Sequence, residues 1–471
     1  MSSRSNKSRK RVPTSPDSDS SLTSLSDSDD EPVTKRARGT KAVAPSVDVL
    51  DMEDNELFQS VLCSDGIEEA SENWIVAYQG EPHESLAQLV TFLFRLCGCT
   101  ATITSDEVQD SEHVDDVLER IQDEFAQHLH SQYPIVSRSK SLKNIRKHAA
   151  LLIKKIFSDA SEAELLSDED FLDTWQQWLL AMSVSSLRSF RHTSSLVAMW
   201  TIGAFSHELE QVRENYDVAV RQRDAEAKRQ SANRTRLVHT AHKMEQLDSL
   251  RESLDAHLDD YVKHVFSPRS RDFDALVRLD CVDQLGSWMK EFPTQYLQEY
   301  YLRHVGAALS DPDVTVRLHA LRSIKNVLVP EHAIQLVSFS ETHKSRMVDM
   351  ALYDVDLGVR TTAFAVLESA NELDMLSNDD RAALAVHIFD LESRIRAAAA
   401  AFLNGLLQNH VAAKMQDNTS DESIVRVHCL VKLLSHYTQQ LNAGTDDLDS
   451  DKLSLIEPGL GRVSVAFEAL W

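Results

Sequence analysis

One pattern recurs four times between residues 266 and 410, and it constrains the fold more than any other feature of the chain. An acidic residue is followed five positions later by a β-branched residue and then by an arginine. The copies are Asp272/Val277/Arg278, Asp311/Val316/Arg317, Asp354/Val359/Arg360 and Asp390/Ile395/Arg396. Successive arginines are 39, 43 and 36 residues apart, which is the length of a pair of packed helices. The pattern predicts a stack of helical pairs in which each arginine reaches an acidic residue of a neighbouring repeat.

The composition favours helices along most of the chain. The 12 glycines and 11 prolines are about 5% of the residues, against roughly 12% in an average protein. The turn residues that strands and hairpins need are therefore scarce. Apolar residues recur at spacings of three and four, which indicates helix. We predict an all-α chain that contains HEAT-type helical repeats.

The net charge, the cysteine pattern and the apolar runs of the sequence argue against several classes of protein. A formal net charge of −25 argues against nucleic-acid binding through the overall field, so a DNA contact needs a local basic patch. Five scattered cysteines without framework spacing favour a reducing compartment. No apolar run reaches the ~18 residues of a membrane span, and no secretory segment opens the chain. We expect no membrane partner, no cofactor and no small-molecule substrate.

Residues 1–50 alternate between basic and acidic blocks and contain few apolar residues. Such a segment cannot bury a core, so we predict a disordered tail. Two basic clusters on either side of a polar spacer resemble a bipartite nuclear-import signal. The candidate import residues are Lys10, Arg11, Lys35, Arg36 and Arg38. The alternative is a solvated tail with no targeting role.

Helical periodicity and charge divide the rest of the chain. Residues 51–205 have broad apolar faces that carry four tryptophans, which we interpret as core. Residues 206–265 have two narrow apolar seams with charged flanks, separated by a polar break, and this pattern predicts an antiparallel helical hairpin. The predicted division is a charged tail (1–50), an N-terminal helical domain (51–205), a coiled-coil hairpin (206–265), HEAT-type repeats (266–410) and further helices that we expect to be a truncated solenoid (411–471).

Two segments carry a resemblance to a known family. Leu187–Met199, with the sequence LRSFRHTSSLVAM, closely resembles the signature of the STAG domain. Tyr301–Gly306, with the sequence YLRHVG, resembles the stromalin domain of the same family, as does Val316–Leu318 after it. The chain is thus similar to the N-terminal half of the stromal-antigen (STAG) cohesin subunits over about 55–410, with the hairpin between the two parts.

The resemblance implies a function and a set of partners. Family members are HEAT-rich scaffolds without enzymatic activity. They bind the kleisin subunit, work with the other subunits of the cohesin ring and help the ring hold DNA. The resemblance therefore implies a nuclear, chromatin-bound protein that supports sister-chromatid cohesion and chromosome segregation in the cell cycle. Family members are much longer and bind kleisin mainly through their later part, so kleisin binding by this chain alone stays open.

The candidate DNA-binding residues form one basic run. Seven cations occur within 18 residues and no acid interrupts them: Arg138, Lys140, Lys143, Arg146, Lys147, Lys154 and Lys155. On a helix, Lys143, Arg146 and Lys147 would share one face and contact phosphates without reading bases. The resemblance places a Lys-Lys-x-Arg DNA contact here, with Asn144 in place of the second lysine. The alternative is a solvated helix face.

Three residues of the STAG signature have two interpretations. Arg188, Arg191 and His192 either extend the track of phosphate contacts or bond a neighbouring helix and fix the core. Both interpretations stay open on the sequence alone, and we include the two arginines among the candidate DNA contacts.

Catalytic and metal chemistry find little support. Cys97-Gly98-Cys99 has no second cysteine pair, and structural zinc needs about four ligands, so we expect free buried thiols. His239 and His242 fit the surface of the hairpin. We predict no catalytic residues and no metal site. The alternative functions are a HEAT-repeat adaptor of another nuclear or transport pathway and, less favoured, a metal-dependent hydrolase.

Overall fold

The computed structural model describes residues 54–62, 66–110, 113–127, 132–229, 233–417 and 421–443. Within these ranges the chain is built from helices and contains no β-strand, which confirms the all-α prediction. The helices are α1 (Glu56–Leu62), α2 (Ile67–Gly80), α3 (Pro82–Cys97), α4 (Ser105–Gln109), α5 (Val114–Ala126), α6 (Ile145–Glu162), α7 (Glu169–Ser183), α8 (Arg188–Ala227), α9 (Arg234–Tyr261), α10 (Ser267–Arg269), α11 (Ala275–Glu291), α12 (Pro293–Tyr296), α13 (Glu299–Ala308), α14 (Val314–Val327), α15 (Ala333–Tyr353), α16 (Leu357–Glu372), α17 (Asn378–Ala385), α18 (Ser393–Asp417) and α19 (Glu422–Ala443).

Two predicted features lie outside the described residues. One is the charged tail, 1–50, with its five candidate import residues. The other is the apolar segment 463–471, on which the expectation of a truncated solenoid depends. Before that segment, α18 and α19 form a small core of their own from Leu407, Val411, Val425 and Cys429.

The helices before residue 205 enclose an aromatic core. Trp74, Trp175, Trp178 and Trp200 are all buried, which confirms their interpretation as core residues. Aromatic rings from several helices meet there; Phe157, for example, lies 5.0 Å between ring centroids from Phe205. Apolar burial on this scale is the main stabilising contribution to a helical stack.

Helix α8 crosses the boundary that the sequence predicts at 205/206. It runs unbroken for 40 residues, from Arg188 to Ala227. Its first half is buried on nearly every side, whereas its second half buries only one seam. The apolar pattern of the sequence changes near residue 206, but there is no proline there and Gly203 lies within the helix. The change therefore marks a change of surroundings and not the end of a helix.

The second half of α8 and helix α9 form the predicted antiparallel hairpin. Arg213 pairs with Asp255 near the base at 3.8 Å. At the tip, the backbone N–H of Asn233 donates to Glu226 at 2.9 Å. The two helices therefore run antiparallel, since residue numbers rise along one arm as they fall along the other. Most of the predicted seam is buried or half-buried, but Ala227 at the tip is exposed.

The repeated arginines and aspartates pair between successive repeats as predicted. Arg278 donates to Asp311 at 2.7 and 2.8 Å. Arg317 donates to Asp354 at 2.9 and 2.8 Å. Arg360 reaches its partner, Asp390, at 3.2 Å. We call this row of ion pairs the Arg–Asp ladder. It ties the turn of each repeat to the next repeat in the chain.

Each ladder aspartate also organises the turn that contains it. The carboxylate of Asp311 accepts the backbone N–H of Asp313 at 2.8 Å. Asp313 in turn caps α14 by accepting the backbone N–H of Thr315 at 2.8 Å. Such caps satisfy the unpaired donors at the start of a helix. The aspartate thus stabilises the local turn and the contact between repeats together.

Within the part of the chain that the structure describes, no helix is long and apolar enough to cross a membrane.

Candidate nucleic-acid interface

The basic run begins in a turn that precedes α6. Helix α6 starts at Ile145 and has Asn144 at its N-cap position. Arg138, Lys140 and Lys143 therefore lie outside the helix, and their side chains are exposed. The prediction that Lys143 shares a helix face with Arg146 and Lys147 is wrong, because the helix begins after it.

Serines and a buried leucine explain this late start. The backbone N–H of Leu142 donates to the carbonyl of Ser139 at 3.2 Å, and the backbone N–H of Ser139 donates to the hydroxyl of Ser137 at 3.2 Å. Serine side chains that bond nearby backbone compete with helix formation. Leu142 is buried, so it anchors the turn and leaves the basic side chains on the outside.

Within α6 the cations divide into free and paired groups. Lys147 and Lys154 are exposed and lie two turns apart on one face. Lys155 instead bonds Asp159 at 2.7 Å, and this hydrogen bond raises the pKa of the Lys155 ammonium. Lys155 is thus partly neutralised within its own helix.

Arg146 points toward the repeat domain and pairs with Asp280 of α11. The Asp280 carboxylate is buried, and it also accepts a hydrogen bond from Nε2 of His192 at 2.7 Å. The other ring nitrogen of His192, Nδ1, is hydrogen-bonded to the hydroxyl of Tyr133 at 2.5 Å.

This chain of bonds fixes the basic turn in place. Tyr133 lies directly before the 3₁₀ turn Pro134–Val136, which leads into the basic run. Its hydroxyl reaches α8 through His192 and α11 through Asp280. A buried network with all its members bonded holds its elements rigidly. The turn is therefore positioned by α8 and α11 and not only by α6.

The two arginines of the STAG signature differ in position. Arg188 is exposed and pairs with Asp274 at the start of α11. Arg191 is only 3% exposed and donates to Asp272 at 3.2 Å. It also donates to the carbonyl of Ser185 six residues earlier, at 3.0 Å, as Arg317 does to Asp311 at 2.9 Å. Arg191 is thus a further member of the Arg–Asp ladder, and its burial removes it from the candidate DNA contacts.

Five cations of the run remain exposed and make no ion pair with any described residue. The start of α6 adds to their field, since its first turn carries no acidic residue and a helix N-terminus is itself partly positive. We call these five residues the basic surface: Arg138, Lys140, Lys143, Lys147 and Lys154. In a chain of net charge −25, it is a local concentration of positive charge.

The cysteines that the structure describes are buried thiols without disulfide partners: Cys97, Cys99, Cys281 and Cys429. Burial raises the pKa of the Cys97 and Cys281 thiols, so neither is an activated nucleophile. No group of three or more potential metal ligands comes together within the described ranges. His239 and His242 are exposed on the hairpin, as predicted.

Of the residues that hold the basic surface, the sequence points to His192 but not to Tyr133 or Asp280. The three residues come from separate segments, and no spacing links them. Arg191 carried a signal that was overlooked, because it follows Ser185 at the same distance at which each ladder arginine follows its aspartate. Serine in place of the acid hid the match.

Two family descriptions match the chain in order. Residues 131–243 match the STAG domain. Residues 271–344 match the stromalin conservative domain. The first covers the basic surface and most of the hairpin, and the second begins next to Asp272 of the ladder.

Known proteins with similar sequences are much longer. The chain is 27% identical over 344 residues to cohesin subunit psc3 of Schizosaccharomyces pombe, which covers 73% of this chain and 36% of the relative. It is 24% identical over 371 residues to sister-chromatid cohesion protein 3 of Arabidopsis thaliana, covering 76% of this chain and 32% of the relative. The chain thus spans about a third of the length of these curated relatives.

A solved structure supports the same architecture. Cohesin subunit Scc3 from Z. rouxii superposes with a TM-score of 0.77 at 22% identity, over 89% of this chain and 50% of that chain. At this level of identity the similarity supports the fold alone.

Proposed function

We propose that this chain, which belongs to the STAG family, is a non-enzymatic scaffold subunit of a cohesin complex and that it binds duplex DNA without sequence preference. Its relatives from fission yeast and Arabidopsis are named as a cohesin subunit and a sister-chromatid cohesion protein. We propose the same setting here: the nucleus, chromatin, and support of sister-chromatid cohesion.

The scaffold role is supported by how the repeats are joined. Arg278 and Arg317 each bond a carbonyl of their own turn and form a two-point pair with the aspartate of the next repeat, and the ion pairs at Arg317 and Arg360 are nearly buried. Bidentate ion pairs fix direction as well as distance. A stack held in this way presents a long surface of constant shape, which suits the binding of other subunits.

The observation that carries the DNA proposal is the basic surface. Five exposed cations without ion-pair partners among the described residues lie around the start of α6, next to an arginine held by Asp280. Exposed lysines and arginines bind phosphates and release counterions, a contribution that is independent of base sequence. The basic surface consists of a turn and one helix face whose lysines and arginine suit phosphates, so we propose contact with the DNA backbone only.

The proposed protein partners are the kleisin and the other subunits of the cohesin ring. Because the chain spans about a third of its relatives, its share of kleisin binding is a question for experiment. The tagged chain should be incubated with nuclear extract and recovered with and without nuclease. We expect kleisin to be recovered in both conditions, since a protein contact does not need DNA.

A charge-reversed variant separates the two parts of the proposal. Lys140→Glu, Lys143→Glu and Lys147→Glu together should abolish DNA recovery and leave kleisin recovery unchanged. Failure of the native chain to recover kleisin in either condition would contradict the cohesin role of this chain. Recovery of kleisin only without nuclease would mean that DNA bridges the two proteins.

A further inference from the structure

A cleft of about 520 Å³ opens between α17, α18 and α19, far along the chain from the basic surface. Its floor is apolar and is formed by Leu406, Cys429, Leu433 and Tyr437. This volume lies within the usual range for ligand sites, roughly 300–1,000 Å³. The cleft can therefore accept one or two large side chains.

The rim of the cleft is basic. His410 and Lys414 lie one turn apart on α18, and Lys432 and His436 lie one turn apart on α19. None of these four makes an ion pair with any residue that the structure describes. They are exposed, so the two ammonium groups and the two imidazole rings are accessible to a ligand.

Two charged residues of α17 complete the lining. Arg381 is held by Asp374 at 2.6 Å and by Asn371 at 2.7 Å, so its charge is largely committed. Asp379 is the one carboxylate among the lining residues. Among the lining residues the two lysines outnumber this single carboxylate, in a protein of charge −25.

We propose that this cleft binds an acidic segment of a partner protein, with an apolar side chain seated on the floor and carboxylates on the basic rim. An apolar floor surrounded by charges is the usual arrangement of a peptide site, in which burial supplies affinity and charge supplies selection. The sign of the rim selects an acidic partner. DNA phosphates could bind the basic residues of the rim, but DNA would supply no apolar side chain to cover the floor.

This inference goes beyond the proposed function and does not depend on it. The basic surface around α6 and the cleft belong to different helices, and each can be altered without the other. Peptide binding at the cleft can therefore be tested independently of DNA binding at the basic surface.

The probe is a short fluorescent peptide with a central Leu-Phe pair flanked by Asp and Glu. Its binding to the full chain is followed by fluorescence polarisation. Two control peptides replace the acids by Lys or replace Leu-Phe by Ser-Ser. We expect measurable affinity for the probe and a loss of about ten-fold or more for either control, since each lacks one of the two contributions.

The protein variant is Lys414→Glu with Lys432→Glu. Both side chains are exposed and make no ion pair with a described residue, so the fold should be unaffected. The matched control is Lys290→Glu with Lys325→Glu, which changes the total charge equally at exposed positions elsewhere. We expect the cleft variant to lose about ten-fold in affinity for the probe, as is common when charges across an interface are reversed. The control should bind as the native chain does.

Three outcomes would overturn the proposal. Equal binding by the cleft variant and the native chain would show that the rim plays no part. A loss of duplex DNA binding in the cleft variant, without effect on the probe, would assign the cleft to nucleic acid. A large gain in probe affinity when Asp446, Asp447, Asp449 and Asp451 are changed to Asn would assign it to the chain's own acidic sequence.

Discussion

Arg317 and Asp354 form a two-point ion pair between successive repeats, with Nε 2.9 Å from Oδ2 and Nη2 2.8 Å from Oδ1. The remaining nitrogen, Nη1, donates back to the carbonyl of Asp311 at 2.9 Å. One guanidinium thus joins its own turn to the next repeat. Both side chains are nearly buried, at 8% and 5% exposed.

Removing the arginine of this pair should destabilise the chain strongly. Arg317→Met leaves the Asp354 carboxylate buried without its partner, which should lower the free energy of unfolding by about 3–5 kcal/mol. Adding Asp354→Leu should recover part of this stability, because the unpaired charge is then gone. Denaturant unfolding measures both changes. Arg322→Met, at an exposed position without an ion pair to any described residue, is the control and should stay within about 0.5 kcal/mol.

The same pair predicts how stability depends on pH. Burial is the largest influence and alone would raise the pKa of Asp354, but the hydrogen bonds from Arg317 and from the backbone N–H of Asp356, together with the charges of Arg317 and Arg346, outweigh it and hold the pKa below its ordinary value. As the pH falls, the unfolded chain therefore takes up the proton first, at about pH 4. The contribution of the pair is complete above that pH and disappears as the pH falls through the folded pKa. The stability difference between the native chain and Arg317→Met should shrink below pH 4; a constant difference would contradict the pairing.

The ladder could be predicted from sequence because its parts repeat. A spacing of about 40 residues, with the same residue types in each copy, is enough to predict that each arginine meets an acidic residue of a neighbouring repeat. The late start of α6 could not be predicted in this way. It depends on Leu142 finding a place in the core, and apolar periodicity does not show which of several leucines will be buried. The predicted boundary at 205/206 falls inside α8 for a similar reason. The second half of the helix loses most of its packing partners, and the apolar pattern then changes as it would at the start of a new helix.

His304 predicts a second and separate pH effect. Burial, assisted by the charges of Arg303 and Arg271, lowers the pKa of His304 to about 4. Its unfolded value is about 6.5, so the folded state keeps the ring neutral where the unfolded chain protonates it. Stability from this residue is complete above pH 6.5 and falls toward pH 4, at most by about 1.4 kcal/mol per pH unit.

Replacement by phenylalanine tests this effect. His304→Phe keeps a ring against Phe266 and Tyr300 and removes the titrating group. Unfolding curves between pH 6.5 and 4 should then be flatter than those of the native chain. The same pH slope in both proteins would show that His304 is protonated in the folded state.

Asp280 positions the basic turn through His192, and its ion pair with Arg146 also keeps that guanidinium from binding a DNA phosphate. Asp280→Asn keeps an acceptor for His192 but removes the charge that holds the guanidinium. We expect a decrease of about 1–3 kcal/mol in stability, because buried bonds to a charged group are weakened. We also expect DNA affinity to rise several-fold, since Arg146 becomes free to bind a phosphate. A fall in affinity with unchanged melting would show that Asp280 only positions the turn.

The candidate site was partly predictable. The basic run was found because seven cations without an acid are conspicuous in an acidic chain. Which of them stay free was not predictable, because Arg146 is paired by Asp280 and Lys155 by Asp159. The same holds for Arg188 of the STAG signature, which is paired by Asp274. Two of these partners come from the start and middle of α11, far along the chain from the arginines that they bind. Such pairings depend on the packing of α11 against the earlier helices.

The salt dependence of DNA affinity tests directly whether the basic surface binds DNA. The variant combines Lys140→Glu, Lys143→Glu and Lys147→Glu. Arg146 is left in place, because a carboxylate there would face the buried Asp280 and disturb the fold. The control variant combines Lys228→Glu, Lys290→Glu and Lys325→Glu, three exposed positions with the same change in charge.

Affinity for a random duplex should be measured against salt for a chain that begins near residue 51, because the basic tail would mask the effect. Each bound phosphate contributes about 0.9 to the slope of log affinity against log salt, so the slope of the basic-surface variant should be shallower by about 2.7, and most of its binding should disappear. The control should keep the native slope, with melting unchanged in both variants. If the folded basic-surface variant binds the duplex as tightly as the native chain, with the same salt slope, the basic surface is a solvated face and the account of DNA binding is wrong.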